Sequence, residues 1–192
     1  PGVASCFRFV PNLLLPGVGS CFRFVLKSNF FFTSLALALL VSCSQAQVGE
    51  AAFHEMLQDL YRHTVPQVKV GELPADGSEF LFLDTREPAE FSVSHIPGAR
   101  CVGYDDFDPA SVADLPRDKA LVVYCSVGYR SERIGEKLQK MGFTNVKNLY
   151  GGIFDWMRQE QPVVDADKKP TLNIHTYNRD WSKWAFRGNK VW

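Results

Sequence analysis

Neither sign of charge is in excess in this chain. Its 192 residues carry 21 lysines and arginines against 21 aspartates and glutamates, a formal net charge of zero. No basic field covers it, which argues against nucleic acid as a partner. Histidine is scarce: His54, His63, His95 and His175 are scattered, without the close spacing of metal ligands. No metal and no organic cofactor is expected. The glycine pair Gly151-Gly152 lacks the context of a phosphate-binding loop and reads as a tight turn before a helix. Long hydrophobic runs are missing too. The stretch Phe30 to Val41 is about a dozen residues, short of the ~20 that span a bilayer.

The chain is 46% hydrophobic, enough for a real core, and its length fits one domain with extensions. Its first part does not read as a folded domain. Residues 1–25 hold a repeat: Pro1 to Val10 recurs, nearly unchanged, as Pro16 to Val25. Two copies are too few for a repeat architecture. With no initial methionine, this segment is read as translated upstream sequence, with the true start at Leu26. Cys6 and Cys21 then carry no meaning. Residues 26–46 read as a secretory signal: Arg23 and Lys27 precede the apolar run, which ends in Leu40-Val41-Ser42-Cys43. That ending resembles a bacterial lipobox, with Cys43 as the lipidated first residue. The alternatives are plain cleavage after Ala46 and an uncleaved anchor. Lipidation or cleavage would place the protein on the periplasmic side of the cell envelope, lipid-anchored in the first case. With Cys43 lipidated, Cys101 and Cys125 are the remaining thiols, and no disulfide framework is implied.

Beyond the linker at Gln45 to Glu50, strands and helices alternate. Ala51 to His63 has a helical stripe of Phe53, Met56, Leu57 and Leu60, ended by Pro66. Gln67 to Val70 suits a short strand, and Pro74-Ala75-Asp76-Gly77 a turn. Phe80 to Asp84 is a continuous apolar run, the pattern of a strand buried on both faces. Helices are expected at Pro88 to Val93 and Pro109 to Leu115, with a strand at Ala99 to Val102 between them. A strand at Ala120 to Tyr124 leads into a helix that Gly142 terminates after Met141. Asn145 to Leu149 and Gly152 to Gln159 add a strand and a helix. This order predicts an α/β fold with a central parallel sheet flanked by helices on both faces. Ligands in such sheets sit beyond the carboxyl ends of the strands.

Cys125 falls at such an end. The loop Cys125-Ser126-Val127-Gly128-Tyr129-Arg130 joins the strand to the helix that opens at Ser131. A helix start presents unpaired N–H groups and roughly half a positive charge, conditions that favour a thiolate, the reactive form of cysteine. Arg130 adds a fixed cation with a fork of donors suited to an oxyanion.

Three ordered motifs then resemble the single-domain rhodanese-like sulfurtransferase family. They are Asp84-Thr85-Arg86-Glu87-Pro88-Ala89-Glu90-Phe91 with His95-Ile96-Pro97-Gly98-Ala99; Cys125 to Ser131; and Asn145-Val146 with Leu149-Tyr150-Gly151-Gly152 and Trp156. The likeness runs from about Val68 to Val163, inside a domain expected over residues 51–165. It implies the rhodanese-like fold and a transfer of sulfane sulfur. The donor would be thiosulfate, a polysulfide or a protein persulfide, the acceptor a thiol or cyanide, and the carrier a persulfide on Cys125. The backbone from Ser126 through Val127, Gly128 and Tyr129 to Ser131 would cradle the sulfur, and Arg130 would bind the donor's charge. Ser126 departs from the family's commonest loop, where an arginine often sits. One cationic contact is thereby lost, which favours polysulfide or persulfide donors over thiosulfate. Rhodanese-like phosphatases and arsenate reductases carry five residues between cysteine and arginine; here there are four, a cradle for one sulfur atom. The other alternative is a catalytically silent binding module on the same fold.

Asp84, Arg86 and His95 are read as structural residues near the site. Asp84 closes a strand beside the loop, Arg86 and Glu90 are spaced for a local ion pair, and His95 suits a scaffold role. Cys101 reads as a packed side chain rather than a resolving thiol. Residues 166–192 form a basic, aromatic extension with Lys168, Lys169, Arg179, Lys183, Arg187 and Lys190 among Tyr177, Trp181, Trp184, Phe186 and Trp192. Asn178 or Asp180 is placed to cap a short helix ended by Gly188. The extension is expected to pack its rings on the domain, or to meet a membrane surface or a protein partner.

Overall fold

The computed structural model describes residues 49–74 and 79–192. The repeat, the secretory signal, Cys43 and the turn at residues 75–77 lie outside the described residues. The described residues open with helix α1, residues 49–60, whose stripe of Phe53 and Leu57 is fully buried. It stops short of the expected His63, where φ is +56°, and Pro66 follows. The first strand, β1, is limited to Gln67–Val68, because Val70–Glu72 forms a 3-10 turn. Strand β2 spans Leu81–Asp84, helix α2 Pro88–Val93, and strand β3 Arg100–Cys101. The Pro109 segment is a 3-10 turn, Pro109–Val112, rather than the longer helix its spacing suggested. The Asp108 side chain accepts from Ala110 N–H at 2.9 Å and closes it tightly. Strand β4 is Leu121–Tyr124, helix α3 Tyr129–Lys140, strand β5 Val146–Leu149 and helix α4 Gly152–Arg158.

The five strands form one parallel sheet in the order β1-β5-β4-β2-β3. All four residues of β4 are buried, as its apolar run requires of a central strand. The pleat sends Val122 and Tyr124 to one face, where they join a core with Phe53 and Leu57 of α1 and Ile153 and Trp156 of α4. Leu121 and Val123 point to the other face, against Ile134 and Leu138 of α3 and Val112 of the 3-10 turn. The sheet is therefore covered on both sides, and Cys125 emerges at the carboxyl end of its middle strand.

The extension folds into a second, smaller parallel pair. Strands β6 (Asn173–His175) and β7 (Asn189–Val191) pair in register, with helix α5 (Arg179–Ser182) in the crossover between them. Asn178 caps α5 by accepting from Trp181 N–H at 3.1 Å. Gly188 does not end that helix, which stops at Ser182; with φ at +97° it turns the chain into β7. Ile174 and Ala185 are buried in the core shared with α1 and α4, and the rings of Trp184 and Phe186 lie 5.9 and 5.6 Å from Phe53. Residues 49–192 thus form one compact unit. Among the described residues no helix is long and apolar enough to cross a membrane.

Candidate functional site

Cys125 is 1% exposed at the floor of a cavity of about 520 Å³. The residue that turns the loop is Gly128, at φ +103°; it is the N-cap of α3, and a side chain there would collide with the Tyr61 hydroxyl. This left-handed turn aims the Gly128 N–H at the Cys125 sulfur, 3.1 Å away. The other face of the loop is held by α4. Ile153 N–H donates to Cys125 O at 2.9 Å and Phe154 N–H to Ser126 O at 3.1 Å. The approach is so close that a Cβ on Gly152 would strike both carbonyls. The Gly151-Gly152 pair therefore makes the tight turn its sequence suggested, and presents helix N–H groups to the loop's carbonyls.

Two buried polar side chains clamp the loop. Tyr61, just after α1, donates to Val127 O at 2.5 Å and accepts from Gly151 N–H at 3.0 Å. Burial pushes its phenol well above the usual range, so it stays a neutral donor. Asn148, in β5, donates to Gly128 O at 3.0 Å and accepts from the Ser131 hydroxyl at 2.7 Å. Glu132, also buried, accepts from Arg62 and Thr64 N–H at 2.9 Å each and ties α3 to the chain leaving α1. None of the three was marked as a site residue by sequence. Asn148 left one signal, an amide between the apolar ends, Val146 and Leu149, of a short parallel strand; Tyr61 left none.

Neither arginine stands with the partner expected of it. Glu90 does not pair with Arg86. Arg86 lies before Pro88 and outside α2, so helical spacing does not bring the two side chains together. Arg86 is fully buried and turns back on Asp84, with Nε to Oδ1 at 3.0 Å and Nη2 to Oδ2 at 2.7 Å, and it donates to Ser94 O at 2.6 Å. Asp84 also accepts from Arg86 N–H at 2.9 Å, not from the cysteine loop. Glu90 instead takes Arg130, in a two-pronged pair at 2.6 and 2.8 Å. Burial alone would lower the Arg130 pKa, but the bonds to Glu90 and the nearness of Cys125 raise it. Burial likewise works against the Glu90 carboxylate, and Arg130 overrides it to hold the carboxyl below its usual range. Arg130 thus stands beside Ser126, its Nη2 3.3 Å from that hydroxyl, with its fork already occupied.

His95 is a scaffold residue: Nδ1 lies 3.0 Å from Phe91 O, the ring stacks on Phe91, and its backbone bridges Val164. Cys101 is half-buried and 3.8 Å from Arg86 O. Burial, with the Asp84 charge, pushes its thiol up, away from redox reactivity. Among the described residues no three His, Cys, Asp or Glu side chains cluster as a metal site.

The rhodanese-like domain model matches residues 69–159. A sulfurtransferase of Allochromatium vinosum is 36% identical over 90 residues, which cover 47% of this chain and 83% of that protein. The chain belongs to the rhodanese-like family. It is also 34% identical over 87 residues to a probable adenylyltransferase/sulfurtransferase, MoeZ, of Mycobacterium tuberculosis. That match covers 45% of this chain and 22% of MoeZ. A rhodanese-related protein of Thermoplasma volcanium superposes with a TM-score of 0.44 at 27% identity, over 52% of this chain and 97% of its own. Tyr61 precedes the matched residues of this rhodanese-like protein, and the extension follows them.

Proposed function

We propose that the protein is a rhodanese-type sulfurtransferase with Cys125 as nucleophile and sulfur carrier. The observation that carries this reading is the Cys125 sulfur, held under the Gly128 N–H at the start of a twelve-residue helix and facing a cavity. The thiolate attacks the sulfane sulfur of the donor. An S–S bond forms on Cys125, and the donor's bond to that sulfur breaks with its electron pair. Sulfite leaves from thiosulfate, a shortened chain from a polysulfide, a thiolate from a partner's persulfide. An acceptor thiolate or cyanide then attacks the terminal sulfur and releases the Cys125 thiolate. Because the N–H donors are fixed before reaction, they need no reorganisation as charge moves onto the outer sulfur. Two half-reactions on one covalent carrier imply ping-pong kinetics.

Intact mass after incubation with thiosulfate or polysulfide tests the reading. One added sulfur on the wild type, lost on reduction and absent in Cys125→Ser, is the expected result; no gain with any donor overturns it. Turnover of an aryl phosphate instead would establish the phosphatase alternative, against which the four-residue spacing from Cys125 to Arg130 stands.

We further propose the cell envelope as its location, with a lipid on Cys43. This rests on the sequence of residues 26–46. Fatty-acid labelling of the protein in a bacterial host, abolished by Cys43→Ser, is the expected outcome; equal labelling of both forms removes the anchor.

A further inference from the structure

The cavity over Cys125 is not made by the matched domain alone. Two of its walls come from the extension: Tyr177, in the turn after β6, and Trp181 of α5. The Tyr177 ring lies 5.4 Å from the Arg130 guanidinium carbon. Tyr177 is also 57% exposed, so it covers the mouth rather than filling the core. Leu60, at the end of α1, faces the same space, as do Val127 and Tyr129 of the loop. The surroundings are thus aromatic and aliphatic. Their charges do not favour a doubly negative guest: Glu87 and Asp105 line the cavity, and Arg130, the one lining cation among the described residues, is engaged by Glu90.

We infer that Tyr177 and Trp181 are specificity-determining residues. They select a sulfur donor with an apolar, ring-sized body and at most one negative charge, in preference to thiosulfate. The inference rests on the sulfurtransferase reading of Cys125 and adds the class of donor. A thiosulfonate of that class reacts with balanced charge. The Cys125 thiolate attacks the outer sulfur of R–SO2–S⁻, the new S–S bond leaves a persulfide anion on the protein, and R–SO2⁻ departs with the electron pair of the broken bond. Thiosulfate undergoes the same exchange with sulfite as leaving group. The two donors therefore differ in body and charge, not in chemistry. In the bound state the apolar body lies against the two rings, where it is removed from water.

The test uses benzenethiosulfonate, methanethiosulfonate and thiosulfate with the folded protein. Single-turnover rates of sulfur addition to Cys125 are followed by intact mass, each divided by the rate of free cysteine with the same donor. The wild type is expected to prefer benzenethiosulfonate to each of the other two by about tenfold. Tyr177→Ala should lower that preference about fivefold, and Tyr177→Phe should restore it, because the ring and not the hydroxyl forms the wall. Tyr177 is exposed, so its loss does not threaten folding; Trp181→Ala is the second variant. Calorimetric binding of benzenesulfinate, the leaving group, reads the wall without any turnover. Tyr177-dependent binding without sulfur uptake from any donor would sink the sulfurtransferase reading and still support the wall. Equal donor preference in wild type and Tyr177→Ala, or sulfinate binding indifferent to Tyr177, overturns the inference.

Discussion

Two arginine–carboxylate pairs sit on either side of the same loop, and their surroundings give them different work. Arg86 and Asp84 lie beneath the carboxyl end of the sheet, both fully buried. Arg130 and Glu90 lie at the mouth, where the arginine side chain keeps 15% of its surface in contact with solvent. The first pair is a fastener. Its charges pair with each other, and Arg86 also donates to the Ser94 carbonyl, pinning the chain after α2 to the end of β2. The second stands at the edge of the cavity over Cys125, which Arg130 helps to line. Identical chemistry becomes scaffold or gatepost according to how far each pair stands from water.

The contrast can be broken first at the scaffold. Arg86→Met should leave the buried Asp84 carboxylate without its counter-charge and cost about 3–5 kcal/mol of stability. Urea unfolding would read this as a large drop in midpoint. A drop no greater than that of the mouth variant would erase the distinction. At the mouth, Glu90→Gln removes a two-pronged acceptor and an N-cap contact to Glu87 N–H. It should cost about 1.5–3 kcal/mol by the same measurement. It also frees the Arg130 fork, so thiosulfate should gain on benzenethiosulfonate in the rate comparison. An unchanged donor order would mean that Glu90 does not gate the cation.

A smaller effect comes from beneath the loop. Tyr61→Phe keeps the ring but unpairs Val127 O and Gly151 N–H, and should cost about 1–2 kcal/mol. Faster amide exchange around residues 125–130 and 151 should accompany it; unchanged exchange would free Tyr61 of its clamping role. The smallest effect is on the acid limb. Because Arg130 holds the Glu90 carboxyl below its ordinary value of 4.5, its share of stability is present above that pH. The share is lost as pH falls through the depressed folded-state value. The urea midpoint of the wild type should therefore fall more steeply below pH 5 than that of Glu90→Gln. Parallel curves would assign the acid sensitivity to other carboxylates.

The parts legible from the sequence are those whose signals are local. The apolar run Ala120 to Tyr124 reads as a strand, and β4 occupies Leu121–Tyr124. Glu87-Pro88 marks a helix start, and α2 occupies the bounds that its residues imply, Pro88–Val93. The parts that escaped depend on distant partners. Strands β6 and β7 are three residues each, too short for an alternating pattern, and their pairing needs a crossover of about a dozen residues. Arg130 and Glu90 are forty positions apart, so neither residue's neighbours betray the pair. Tyr61 is one more aromatic at a helix end until the fold brings Gly128 over its hydroxyl. At the site, the position of Cys125 was readable; the engagement of Arg130 by Glu90 and the aromatic cover were not.

Thr176 N–H donates to Val191 O at 2.8 Å, so the strand nearest the carboxyl terminus moors the residue that precedes Tyr177. Changes in β7 therefore reach the Tyr177 wall of the cavity over Cys125. The aromatic cover of that cavity can be altered through this short distal segment with the Cys125 loop left as it is.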